Sequence, residues 1–360
     1  ALAYRYYLNV MELTKPKGRR DGTLNEEIGN ALKWFDQTLE LNPKSIKDHY
    51  RKGKLVVDKQ IDRFKYSSNE WDIERFDELK KMESEGTNSL KEAIKLYEQI
   101  GDGSQNKNKY RNEYIKALYS LGSFYAEKPN LHWNEYVCYR ISGQTAEIVF
   151  HTGELQYIAD ARDLLEKCFT AESDISLDDE LDISVLTKTT NEWAVSPMDK
   201  LYRLGLVYLN MYYVKKVFDD DQERMEQYRK KAEKYLYAAQ RIGQEIRRQG
   251  LGRRDDWFIS EKIARCHIIS NQHSKAILTI ERANASYIKN TYAIALLLSG
   301  SEENKQKARA ALEYAAKDRN NKAINMTAVL LAYIYNQQDD PGDLKELTSN
   351  KEELFTESSK

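Results

Sequence analysis

Cys138 lies between His132 and His151 in the stretch WNEYVCYRISGQTAEIVFHTGE, residues 133–154. A thiol beside an imidazole is one arrangement that activates a nucleophile, provided the base reaches the sulfur and a third group orients it. Sequence spacing supplies neither condition, and a small buried thiol is the default reading of such a Cys. His49 and His267 fall at helical positions that read as packing rather than as metal ligands. The acidic run Asp178, Asp179 and Glu180 lacks the spacing of a calcium loop. The chain contains no P-loop, no G-x-G-x-x-G and no H-E-x-x-H. These residues predict no catalysis, no cofactor and no metal.

A second chemical candidate is the basic stretch RIGQEIRRQGLGRRDD, with Arg241, Arg247, Arg248, Arg253 and Arg254. Arginines at a helix end followed by Gly250 and Gly252 suit a phosphate or an acidic peptide. The competing reading is a solvated helix terminus whose cations offset the helix dipole. The balance of charge favours the second reading, because 56 basic and 57 acidic side chains leave a formal net charge of −1. That balance also gives no overall pull toward nucleic acid or an acidic membrane. No apolar run approaches the ~18 residues of a membrane span. Three Cys without paired spacing fit a reducing, cytoplasmic compartment. The chain opens ALAYRYY with no initiator Met, which suits a processed chain or a piece of a longer one.

The elements that position these groups are read from a repeated pattern. ALKWFDQTLELNP, residues 31–43, sets Ala31, Phe35 and Thr38 along one helical stripe ahead of Pro43. The same spacing recurs at Ala93–Tyr97–Ile100, Ala161–Leu165–Cys168, Ala232–Leu236–Ala239, Ala276–Ile280–Ala283 and Ala308–Leu312–Ala315. A different pattern precedes these helices. Leu118, Leu121, Gly122 and Tyr125 form one instance, and Leu201, Leu204, Gly205 and Tyr208 another. Weaker instances carry Gly53, Ala264 with His267, and Ala332 with Tyr335. A small residue amid larger ones lets a neighbouring helix approach closely.

The two alternating patterns, L-x2-L-G-x2-Y and A-x3-F-x2-A with a trailing Pro, resemble the tetratricopeptide repeat family. The match is most specific at 197–248 and 256–287, and it covers most of residues 1–340 as six repeats plus a degenerate seventh. Ala276 and Ala308 lie 32 residues apart, close to the family period of about 34. The resemblance implies an all-α fold of helical hairpins stacked as a right-handed solenoid, with first helices lining its concave surface.

Several stretches depart from a regular repeat. Residues 14–24 split the first hairpin with a basic loop. Residues 59–87 form an insertion in which WDIERFDELKKMES reads as a helix continuing outward. Residues 128–153 form another insertion. Its β-branched and aromatic residues on either side of SGQT predict a β-hairpin over 135–152; the competing reading is a distorted helix extension. Residues 173–196 read as an acidic linker with no helical stripe or cap. The expected organisation is therefore an N-terminal block over 1–172, that linker, a C-terminal block over 197–340, and a polar tail or capping helix over 341–360.

On the first helices, the residue after the opening apolar position is expected to face the concave side. These residues are Tyr50, Tyr119 and Tyr202, with Lys47, Lys54, Lys116, Ser123, Asp199, Glu261 and Arg265 on the same face. Tyrosine combines apolar area with a polar tip, which suits a peptide or protein segment. The alternative is that each Tyr packs against the adjacent first helix. Trp133, Tyr136, Tyr139 and Phe150 would add contacts from the insertion. The Lys/Asn clamp of chaperone-binding family members has no matching K-x3-N and K-x3-R pair here. The resulting expectation is a non-catalytic scaffold or adaptor binding a protein partner. A second reading is the regulatory arm of a larger enzyme, such as a caspase-like protease controlled by an RNA-guided effector complex. A third, direct RNA binding, fits poorly with the near-zero net charge.

Overall fold

Apolar residues recurring every three or four positions make helices here, and small polar residues start several of them. The Ser45 hydroxyl accepts from the Asp48 backbone N–H, Asp221 accepts from Arg224, and Ser301 accepts from Asn304. The computed structural model describes residues 2–14, 23–61, 64, 73–127, 152–173, 175–188, 193–218, 221–250, 256–318, 327–328, 330–331 and 334.

Thirteen α-helices lie among the described residues, and no strand does. In chain order they are α1 (Leu2–Leu13), α2 (Thr23–Leu41), α3 (Ile46–Leu55), α4 (Ile73–Glu98), α5 (Gln105–Glu127), α6 (Thr152–Thr170) and α7 (Ile183–Lys188). They continue as α8 (Pro197–Phe218), α9 (Gln222–Arg248), α10 (Trp257–Ile269), α11 (His273–Ile280), α12 (Ser286–Leu298) and α13 (Glu302–Ala316). A π-helical turn, Val56–Gln60, prolongs α3. The helical segment WDIERFDELKKMES thus enters α4 from Ile73 onward. The β-hairpin expected at 135–152 lies outside the described residues, except that Thr152 begins α6.

The chain forms two compact units. The first takes residues 1–125, 163–177 and 192–195; the second takes 126–162, 178–191 and 196–360. In the first unit α1 packs on α2, and α3 packs on α4. Ala3, Val10, Leu24, Ile28, Ala31, Phe35 and Leu55 form its first core cluster. In the second unit α8 packs on α9, α10 on α11, and α12 on α13, and successive pairs touch through α9 with α10 and α11 with α12.

Close helix approach depends on glycine at the pair centres. A Cβ on Gly205 would lie 2.6 Å from Leu236 Cγ, and one on Gly122 would lie 2.8 Å from Leu165 Cγ. Leu236 and Leu165 hold the same place in the A-x3-F-x2-A spacing, four residues after Ala232 and Ala161, so the two pairs meet in one register. Gly53 faces Leu90 and the carbonyl of Gly86, while a Cβ on Gly86 would meet Val56 at 2.8 Å. The motif of α4 that meets its first helix is therefore Gly86–Leu90–Ala93, one heptad before the spacing that begins at Ala93.

Within the acidic stretch, residues 175–188 are held in place. Leu181 and Leu186 are buried, and α7 packs on α9. Lys231 Nζ stands 3.3 Å from Asp178 Oδ1, and Lys234 donates to the Asp178 and Asp179 carbonyls at 3.1 and 2.6 Å. Farther along, Trp193 packs on Phe169 within the first unit, 5.9 Å between ring centroids.

Candidate functional site

Two polar faces on first helices gather the charged and aromatic side chains, one in each unit. In the first unit α3 sets Lys47, Tyr50, Arg51 and Lys54 within one face, since positions three and four apart are helical neighbours. Tyr50 is buried, and Lys54 pairs with Asp58 on the π-helical turn. Lys47 Nζ stands 3.7 Å from Glu113 of α5. From α1, Tyr4 lies beneath the Arg51 guanidinium, whose Cζ is 4.0 Å from the ring centroid. Tyr7 lies within electrostatic reach of Lys54, Asp58 and Arg51.

The ionisation of these groups follows from burial and from their neighbours. Burial raises the pKa of Tyr50 and of Tyr7, and the nearby Lys54 only partly offsets it, so both phenols stay protonated donors at neutral pH. For Lys54, burial opposes the charge, but the Asp58 carboxylate beside it outweighs that and holds the ammonium protonated.

In the second unit the centre is Glu261 on α10, only 1% exposed. Its Oε1 accepts from Arg265 Nε and, at 2.7 Å, from the Thr291 hydroxyl of α12. Its Oε2 faces Lys262 Nζ at 2.8 Å. Burial opposes ionisation of Glu261, yet Arg265 and Lys262 beside it hold its pKa down to about 2. Lys262 moves the opposite way to a simple ion-pair partner. Burial and repulsion from Arg265 outweigh Glu261 and lower its pKa. Arg265 makes the shorter contact with the shared carboxylate, so Lys262 is its weaker partner. Beside this group Tyr202 packs edge-on against Phe258, 4.7 Å between centroids, and Arg203 pairs with Glu127.

The residues singled out from sequence thus fall into distinct settings. Tyr50, Lys47 and Lys54 come together in the first unit, as do Glu261 and Arg265 in the second. Tyr202 is half-buried against the neighbouring first helix, and Asp199 is half-buried in the first turn of α8. On α5, Tyr119 and Lys116 are half-buried, while Ser123 Oγ is buried with no hydrogen-bond partner among the described residues. Trp133, Tyr136, Tyr139 and Phe150 lie outside the described residues, as do Arg253 and Arg254. Arg247 pairs with the buried Asp256, and the exposed Arg248 pairs with Glu245 at 2.9 Å. Both cations therefore meet carboxylates of the same fold at the end of α9, where Gly250 turns the chain at φ +73°.

Sequence reasoning missed Tyr4, Tyr7, Arg51 and Asp58 in the first unit, and Arg203, Phe258, Lys262 and Thr291 in the second. Arg51 and Asp58 were open to discovery, since each stands three or four positions from a named residue on α3 and its extension. Thr291 was not, because it belongs to the next helical pair. Cys168 and Cys266 are buried, and burial foremost raises the Cys266 thiol. Among the described residues no cluster of three or more His, Cys, Asp and Glu is placed to hold a metal ion, and no helix is long and apolar enough to cross a membrane. No protein-family model matches the chain, and neither a curated protein nor a solved structure matches it.

Proposed function

We propose that this chain is a non-catalytic interaction scaffold of the tetratricopeptide type, in which helical hairpins stack into a right-handed superhelix and first-helix faces receive a protein segment. The observation that carries the reading is the repeated register: Gly122 on Leu165 and Gly205 on Leu236, with the same A-x3-F-x2-A spacing on each second helix. A hairpin of this kind cannot bury both of its apolar faces alone, so repetition makes a long, continuous surface. The polar face around Tyr50 in the first unit and that around Glu261 in the second each add charge and aromatic area to the helices of their own unit, a composition suited to recognition. Fold alone does not select a partner, so the reading rests on these sites as well as on the repeat.

The test is quantitative capture from the native host, using the whole chain as bait. A second bait carries Lys116→Glu and Tyr119→Ala on α5, both half-buried positions. Retained helix content with a loss of the captured proteins supports a scaffold. Identical capture by both baits, or none above a control bait, refutes it.

A further inference from the structure

Arg51 is a half-buried cation stacked on Tyr4, and among the described residues its guanidinium makes neither a hydrogen bond nor an ion pair. Its five N–H donors, set in a fixed planar fork, are open to solvent and so to a ligand. Among the described residues the hydroxyls of Tyr7 and Tyr50 likewise make no hydrogen bond, and neither oxygen is sealed from solvent, so both are open to a ligand. Both phenols are within electrostatic reach of Lys54.

The charges here do not cancel. Lys54 is balanced by Asp58, and Lys47 by Glu113, whereas Arg51 has an aromatic ring beneath it and, among the described residues, no ion pair with a carboxylate. The ring fixes the guanidinium plane, which lowers the cost of ordering it on a ligand. We infer that Arg51, Lys54, Tyr7 and Tyr50 form a subsite for an oxyanion, the carboxylate or phosphate of a side chain on a partner protein segment. Arg51 supplies the uncompensated charge and paired N–H donors in its plane, Lys54, shared with Asp58, adds a further N–H donor, and the two phenols donate to remaining oxygens. The chain's net charge of −1 favours one local anionic group over a polyanion, whose phosphates need a continuous basic surface. This subsite deepens the scaffold reading and rests on it. It differs from a Lys/Asn clamp in using a ring-stacked Arg and phenols.

The test measures fluorescence anisotropy of the full chain with short labelled peptides of one sequence. Four forms carry Glu, phosphoserine, Gln or Ser at the central positions, and a single-stranded RNA of equal length is the fifth probe. The Glu or the phosphoserine peptide should bind about tenfold or more tighter than its neutral counterpart, and the stronger of the two identifies the oxyanion. Arg51→Gln should remove most of that difference. Tyr7→Phe with Tyr50→Phe should weaken the charged peptide several-fold while melting is unchanged, because neither hydroxyl has a hydrogen-bond partner to lose among the described residues. Equal binding of charged and neutral peptides overturns the subsite, as does an Arg51→Gln chain that still discriminates. No binding by any peptide, or RNA bound more tightly than every peptide, overturns it as well. The scaffold reading survives those results if capture still depends on Lys116 and Tyr119.

Discussion

Glu261→Gln isolates the charge of the most deeply placed carboxylate from its shape. Gln keeps an acceptor for the Thr291 hydroxyl but leaves Arg265 and Lys262 without the anion they share. Folding holds the carboxyl at about 2 against an ordinary value of 4.5, a difference worth about 3 kcal/mol in favour of the folded state. The sign follows from the depressed value. That stabilisation is fully present above pH 4.5 and drains away as pH falls toward 2. Removing one member of a buried ionic group costs roughly 3–5 kcal/mol, because the remaining cations stay desolvated, and the two figures agree in size. Urea unfolding followed by far-ultraviolet circular dichroism, near neutrality and again near the acid limit, reads both effects. Near neutrality the variant should unfold at distinctly lower urea, and at acid pH the two chains should converge. Lys262→Met should cost little or stabilise, since Lys262 is the cation that the shared carboxylate serves least. A Glu261→Gln chain as stable as the original near neutrality would refute the reasoning. So would two acid limbs that run parallel.

Three further outcomes test packing. Gly205→Ala should destabilise by about 1–3 kcal/mol through overpacking, since the new methyl would sit 2.6 Å from Leu236 Cγ. Gly29→Ala should stabilise by up to about 1 kcal/mol, because an added Cβ there meets nothing within 4 Å; urea midpoints of the two variants decide both. Leu186→Ala should cost about 2–5 kcal/mol and expose residues 178–188 to limited proteolysis. Unchanged cleavage there would show that Leu186 does not anchor α7.

Small residues were the clearest part of the sequence. Ala31, Ala161, Ala232, Ala276 and Ala308 are all fully buried, and Gly53, Gly122 and Gly205 sit where a neighbouring helix leaves no room for a Cβ. Such positions are legible because only Ala or Gly satisfies them while keeping a helix. The register of α4 was less so. Its contact residues are Gly86 and Leu90, and glycine within a charged helical stretch gives no apolar mark to a pattern search. Residues 178–188 also hid their packing. Two separated leucines and two lysines on α9 hold them, and neither makes a periodic stripe. Tyr50 and Tyr202 were recognisable as a matched pair of positions. Tyr202 packs on Phe258, a side chain from the next helical pair that no local spacing reveals.

The same limit explains the most structured polar contacts of the second unit. Asn210 of α8 donates to the Ala126 carbonyl at 3.2 Å, and Gln240 of α9 meets the Ser260 hydroxyl at 3.1 Å. Glu261 accepts from Thr291, and Asn290 accepts from the Thr327 hydroxyl at 2.8 Å. Each joins a helix of one pair to the next segment of the unit. Apolar faces of stacked helices tolerate small slips, because exchanging one aliphatic contact for another costs little. A buried donor or acceptor does not tolerate them, since a slip leaves it unsatisfied at about 1–3 kcal/mol. The polar contacts at each junction therefore fix the spacing of neighbouring pairs more sharply than the surrounding leucines and alanines do. This makes the placement of Arg203, Glu261 and Arg265 a product of those junctions: the helices that carry the charges are held in register by polar residues that look unremarkable one at a time.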